Sequence, residues 1–531
     1  MSHMTAITYR WPRAVLLLLL VSVAWGLRVC APCIFHVPGS DIVEHIAYPM
    51  RLNLSLFVDH DVIGFLKRVL AFNHGYTQIS VLFVLYKVVF GVLGAPINEF
   101  TLAAVHSGIG IASLLVVFLF LRRFIEFADA LLIVAVLAVT PIHVGISAAN
   151  SGYQLFKMIG VYLSLARLDA WCRAPSRRNM AGYALALLFA IGAGTDFLLT
   201  LLLNLLYAYW IRSTPACEEA RRARLWTNGW IIALGWTPCL VMIGVGVYAA
   251  LQDLPIGVLH HFHSTVSVAS TRLFTPLEVF RSLAIMVGPL ALAAPVALVL
   301  ANRWRKEPWT RTIALQWGIE FLVLAFSRRA QWTSHILNLA VPSLVLAYLV
   351  LRSHSWGRPV FAASGLMSVL LMLNIIFGIG GAPIRTTYGT RHYSETGVQA
   401  LGFVVRSDLI PVERNPDTGN IALAVDLEGA WFYLGANTFG QDDLAHGVDR
   451  MCRNMTYVYR PGIDSPFNKL IGERVRTMPV TLEIVDGNSV LLQVFTQSGA
   501  AAPVRRVDNQ FLKARFYGTY NRFSDYCFHF L

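Results

Sequence analysis

Charge is what this chain has least of. Only 14% of its 531 residues are Asp, Glu, Lys or Arg, against 56% hydrophobic residues, and the acidic ones number 30. That balance excludes a disordered or solvating chain. Cysteine is sparse too, at 7 residues, and apart from Cys30-x-x-Cys33 none has a metal-type spacing, so a zinc-stapled scaffold is excluded. The first apolar run lacks an A-x-A-like cleavage site, which makes it an uncleaved span behind an opening Met1-Ser2-His3-Met4 that reads as a cloning remnant. Two similar halves, the mark of many transporters, are missing as well.

What is there is apolar length. Stretches such as Ala14 to Ala24 and Leu131 to Ala138 carry no charge, and mean hydropathy is +0.57. The chain reads as a polytopic α-helical membrane protein. Of its 43 Lys+Arg and 30 Asp+Glu, 15 of each follow Gly381, leaving 28 basic and 15 acidic residues before it. The basic excess therefore punctuates the apolar part, as cytoplasmic loop charge does and a nucleic-acid-binding face does not.

Those clusters thread the chain. Arg10 with Arg13, Arg122-Arg123, Arg173 with Arg177-Arg178, Arg212 through Arg224, Arg303 through Lys306, and Arg352 with Arg358 are expected inside. Spans are expected near residues 14–36, 99–121, 129–147, 151–171, 181–195, 197–211, 229–250, 278–301, 311–327, 334–351 and 359–380. About eleven crossings then leave the N-terminus cytoplasmic and the C-terminus outside, in a multi-pass protein of a bacterial inner membrane. Residues 76–92 are read as an interfacial helix, since a crossing there would invert every later loop against its charge. The membrane module is residues 1–380, with a first exoplasmic loop at 37–98. Residues 381–531 read as a soluble exoplasmic domain, α/β or mainly β, with strands expected at Ile421–Val425, Val480–Ile484 and Val490–Phe495. Its Cys452 and Cys527 would sit in an oxidising compartment, where a disulfide is expected.

Directly after the first apolar run stands Ser40-Asp41-Ile42-Val43-Glu44-His45. On a helix, spacings of three and four put Asp41, Glu44 and His45 on one face, an acid/base or metal-binding group at a membrane surface. An Asp after Pro38-Gly39 also suits a plain helix N-cap.

The order of motifs resembles the GT-C superfamily of polyprenyl-phosphate-sugar-dependent glycosyltransferases, in the bacterial aminoarabinose transferase and protein O-mannosyltransferase branch. Four stretches carry the resemblance: the acidic loop at Asp41; His74-Gly75-Tyr76-Thr77-Gln78 leading to Phe90-Gly91; Thr140-Pro141-Ile142-His143-Val144 through Tyr153; and Thr333-Ser334-His335 through Pro342. The chain departs from the pattern where the second motif's prolines are Gly75 and Tyr76, and where arginines are replaced before Tyr153 and at His335.

The resemblance implies an inverting transfer of a sugar from a polyprenyl-phosphate donor to an acceptor hydroxyl on lipid A, another cell-envelope glycan or a protein. Asp41 would be the general base, while Glu44 and His45 would orient it or share a divalent metal. Arg28, Lys67, Arg68, His74, Arg328, Arg329 and His335 are the candidates for the leaving phosphate, with Tyr153 and the intramembrane Asp196 as further binding residues. The rival class is a transporter or lipid-linked-sugar flippase without transfer chemistry.

Overall fold

The computed structural model describes residues 10–30, 49, 52–53, 55–57, 60–71, 75–95, 99–149, 153–194, 197–211, 214, 275–300, 307–326, 335–352, 354–377, 409–410, 422–426, 438–447, 449, 454–463, 465–497 and 503–508. Its contacts divide the chain into two compact units. One comprises Met1–Val29, Asp59–Leu85 and Ala103–Tyr388; the other comprises Cys30–Val58, Tyr86–Leu102 and Gly389–Leu531.

The helices of the membrane part run in chain order as α1 (Arg10–Cys30), α2 (Val62–Ala71), α3 (Tyr76–Tyr86), α4 (Glu99–Leu121), α5 (Phe127–Ala138), α6 (Pro141–Ala149), α7 (Tyr153–Arg173), α8 (Arg177–Ile191), α9 (Phe197–Ile211), α10 (Pro276–Met286), α11 (Ala293–Leu300), α12 (Pro308–Phe326), α13 (Ile336–Leu351) and α14 (Gly357–Phe377). By length and composition, two described helices, within α1 and α4, suffice to cross a membrane, and α5 with α6 makes a third if the bent pair is one span. Residues 229–250 lie outside the described residues. α13 is apolar and buried nearly all round, which is the pattern of a central helix; α7, α11, α12 and α14 pack against it. α1 instead exposes Val15, Leu16, Leu18 and Leu19, the apolar surface a lipid-facing helix presents.

Two expected spans, 129–147 and 278–301, prove to be broken. Residues 129–147 form α5 and α6 with a bend of 68° at Thr140-Pro141, because proline cannot donate to the preceding turn and its ring clashes there. Residues 278–301 form α10, a 3-10 turn at Pro289–Leu292 and α11. At that break Gly288 has φ +121, and a Cβ on it would sit 2.8 Å from Ser368 Oγ, so both backbone and space require glycine. The apolar stretch 181–211 is two helices, α8 and α9, meeting at residues 192–196.

α3 continues as a π-helix, Lys87–Val92. In the second unit, Tyr86 packs against Phe90 at 5.4 Å, and Lys87 Nζ lies 4.6 Å above the Phe57 ring.

The C-terminal part holds a five-stranded mixed sheet in the order β1-β2-β4-β3-β5. In chain order these are β1 (Leu423–Val425), the short helix α15 (Gln441–Ala445), β2 (Thr456–Tyr459), α16 (Pro466–Val475), β3 (Val480–Asp486), β4 (Ser489–Thr496) and β5 (Arg505–Asp508). β1 and β2 are parallel, as are β3 and β5, and the two pairings through β4 are antiparallel. α16 starts on a Ser465 N-cap with Pro466 behind it and buries Ile471 and Val475 against Ala424, Met455 and Tyr457. Below them Asp449 accepts from Tyr457 Oη at 2.8 Å and Arg474 Nε at 2.9 Å, so a buried carboxylate is paired and hydrogen-bonded. The sheet has helices among its strands, which makes it α/β. Cys452 and Cys527 lie outside the described residues.

Candidate functional site

The bend between α5 and α6 leaves the last carbonyls of α5 without helical donors. Arg28, near the end of α1, supplies one. It is fully buried, and its Nη2 donates to Ala138 O at 2.9 Å and to His143 Nδ1 at 2.7 Å. Its Nε donates to Ser147 Oγ at 2.6 Å and its Nη1 to Ala24 O at 2.6 Å. A guanidinium can only donate, so His143 Nδ1 accepts and the ring proton sits on Nε2. Nε2 then donates to Ser113 Oγ at 2.9 Å, and Ser113 passes its own hydrogen to Gly110 O at 2.7 Å. Every group in this chain of bonds has a partner. Gly110 is what lets α4 approach so closely, since a Cβ there would stand 2.3 Å from Ser147 Cβ. Arg28 therefore acts in the structure as a clasp between α1 and the α5–α6 bend, its donors committed to protein acceptors.

A second polar group was not visible in the sequence. Lys157 of α7 and Glu320 of α12 are both buried, and Nζ lies 2.6 Å from Oε1. Asn338 Nδ2 of α13 is 3.5 Å from the other oxygen of Glu320. One helical turn along the same pair of helices, Tyr162 Oη donates to Gln316 Oε1 at 3.0 Å. Ionisable residues inside apolar helices are expensive and occur where they are paired. Lys157 follows Tyr153 by one turn and Asn338 follows His335 by about one turn, so both motif residues head helices tied together by this cluster. The signal that could have found it was a Lys and a Glu each set among apolar neighbours, in Leu155-Phe156-Lys157-Met158-Ile159 and Gly318-Ile319-Glu320-Phe321-Leu322.

The second motif shows why it departs from proline. Thr77 N donates to Gly192 O at 2.8 Å and Thr77 Oγ1 donates to Phe189 O at 2.9 Å, docking the start of α3 on the end of α8. A Cβ at Gly75 would stand 2.7 Å from Ala193 O, so this approach needs glycine.

Of the residues expected at the site, Lys67 and Arg68 are exposed on α2, beside the exposed Val62, Ile63 and Leu66; Asp61 caps that helix by accepting from Gly64 N at 2.8 Å. Tyr153 begins α7. His335 is half-buried at the head of α13 and does not cap it. Asp41, Glu44, His45, His74, Asp196, Arg328 and Arg329 lie outside the described residues. No group of three His, Cys, Asp or Glu stands at metal-binding distance among the described residues.

No family model and no curated protein matches the sequence. Solved structures do. The crystal structure of ArnT from Cupriavidus metallidurans bound to undecaprenyl phosphate superposes with a TM-score of 0.55 at 16% identity, covering 92% of this chain and 99% of that one. The apo oligosaccharyltransferase of Archaeoglobus fulgidus aligns with a TM-score of 0.42 at 11% identity, over 76% of this chain and 58% of that one. The likeness to ArnT runs over almost the whole length of both chains: the protein shares the fold of ArnT.

Proposed function

We propose that the protein is an integral-membrane glycosyltransferase that moves a sugar from a polyprenyl-phosphate donor to an acceptor hydroxyl. The observation that carries this reading is the likeness to ArnT across nearly the full length of both chains, together with the undecaprenyl phosphate that ArnT binds. In this reading Asp41 takes the proton of the acceptor hydroxyl as its oxygen attacks the anomeric carbon. The phosphate leaves from the opposite face, with inversion. Glu44 and His45 orient the carboxylate. Lys67, Arg68, His74, Arg328, Arg329 and His335 gather positive charge for the departing phosphate, and Tyr153 and Asp196 line the donor side. Arg28 supports that side by fixing the α5–α6 bend.

Threaded by loop charge, about eleven crossings leave Asp41 and His335 on the outer side of a bacterial inner membrane, with the C-terminal domain periplasmic. Acceptors on that side are lipid A, other envelope glycans or proteins. Asp41→Asn, assayed in membranes supplied with polyprenyl-phosphate sugar and acceptor, should lower transfer by about 10²–10⁴-fold, the usual effect of a general base. Retained transfer would remove Asp41 from the mechanism.

A further inference from the structure

At the other ends of the same helices, the turn between α4 and α5 and the turn between α13 and α14 enclose a cavity of about 790 Å³. Four arginines line it, Arg122, Arg123, Arg352 and Arg358, against two carboxylates, Glu126 and Asp129. The charges do not cancel. Arg123 is held by Asp169 at 2.5 Å, and Arg358 by Asp129 at 2.7 Å. Arg122 donates to the Ile125 carbonyl at 2.8 Å and lies 5.7 Å from the centre of the Phe127 ring, neither of which neutralises it. Arg352 is exposed and has no side-chain hydrogen bond or ion pair among the described residues. Two guanidinium groups thus stand in one cavity without a counter-charge. A third cation, Arg13 of α1, lies on the same Phe127 ring at 5.5 Å.

Planar guanidinium forks in that arrangement match the oxygens of a phosphate group, bidentately and with charge assistance. The cavity's rim suits a membrane boundary. His354, which lines the cavity, stacks on the half-exposed Trp356 at 4.8 Å, and tryptophan at helix ends marks the headgroup level of a bilayer. Basic pockets between helix ends hold anionic lipid headgroups for this reason.

We propose that this cavity binds a phosphate ester, the headgroup of an acidic phospholipid in the leaflet that the α4–α5 and α13–α14 turns face. The site is independent of the transfer reaction, because Arg122 and Arg352 are the charge clusters that loop threading places on the side away from Asp41. The same chemistry could also be met by free phosphate, and the two sources separate by experiment. The full-length protein in neutral detergent is titrated with phosphatidylglycerol and with phosphatidylcholine, and bound lipid is counted by native mass spectrometry; a parallel thermal-shift series uses inorganic phosphate alone.

Expected are saturable binding of phosphatidylglycerol over phosphatidylcholine and a loss of about tenfold in affinity in Arg352→Gln, the size of one charge-assisted bond. Arg352→Lys should recover part of it, and Arg178→Gln, an exposed arginine elsewhere, should change nothing. A thermal shift by inorganic phosphate that Arg352→Gln abolishes would keep the site and assign it a soluble ligand. Equal lipid binding by the parent protein and Arg352→Gln, or equal losses in Arg352→Gln and Arg178→Gln, would overturn the proposal. Unfolding of Arg352→Gln would show as a lowered midpoint without lipid, and Arg122→Gln then makes the same comparison.

Discussion

Arg28 and Lys157 are both cations buried among apolar helices, yet they stabilise the fold in different ways. Arg28 satisfies backbone and side-chain groups exposed by a proline break, so its loss strands several of them at once. Arg28→Met should lower the thermal midpoint of the purified protein, by about 2 kcal/mol or more of stability. If Arg28 instead contacted the donor, the midpoint would hold and the donor KM would rise. Lys157 pairs with a buried carboxylate, and Lys157→Met takes the cation away from Glu320. That change should cost about 3–5 kcal/mol, and the double variant Lys157→Met with Glu320→Leu should regain most of it, since a buried pair is often no better than apolar residues of the same volume. Thermal unfolding in one detergent across the three variants measures both effects. The sequence displays these residues but not their partners: Arg28 reaches Ser147 across 119 positions and Lys157 reaches Glu320 across 163. No local period or spacing encodes such a pairing.

Elements were more legible than contacts, because an apolar run announces a helix through composition alone. Where the runs break was less so. Thr140-Pro141 and Gly288-Pro289 carry the usual punctuation, but each lies inside a stretch long enough to pass for one span, and length outweighed the proline. In the C-terminal sheet β1, β3 and β4 lie at the three stretches expected as strands, Ile421–Val425, Val480–Ile484 and Val490–Phe495. β2 has three buried residues in succession and no period to show, and β5 is Arg-Arg-Val-Asp, whose charges suit an exposed edge and conceal a strand. Arg506 Nε still finds Glu483 at 2.9 Å across that edge. At this scale the junction of α3 with α8 gives the sharpest test. Gly75→Ala forces a methyl against a backbone oxygen that cannot rotate away, and should destabilise the protein by about 1–3 kcal/mol. Gly94, around which a Cβ would meet nothing within 4 Å, is not a suitable control because of its φ of +64; Gly108, equally open and helical, is. Gly108→Ala should leave the thermal midpoint unchanged or slightly raised.

At the level of the whole molecule, the scarcity of charge pointed to the class and the placement of basic residues suggested the threading, while the fold is the one shared with ArnT. The acidic loop at Asp41 remains the centre of the proposed function; within one unit the structure shows the α5–α6 bend, the docked start of α3 and the helices headed by Tyr153 and His335. The central claim is that this fold serves transfer of a sugar and not its passage across the bilayer. Proteoliposomes containing the purified protein, a polyprenyl-phosphate sugar and an acceptor glycolipid decide between the two when the lipids are separated by mass. The account predicts free polyprenyl phosphate and a heavier acceptor, both dependent on Asp41. Intact donor recovered from the opposite leaflet, with the acceptor unchanged, would contradict it.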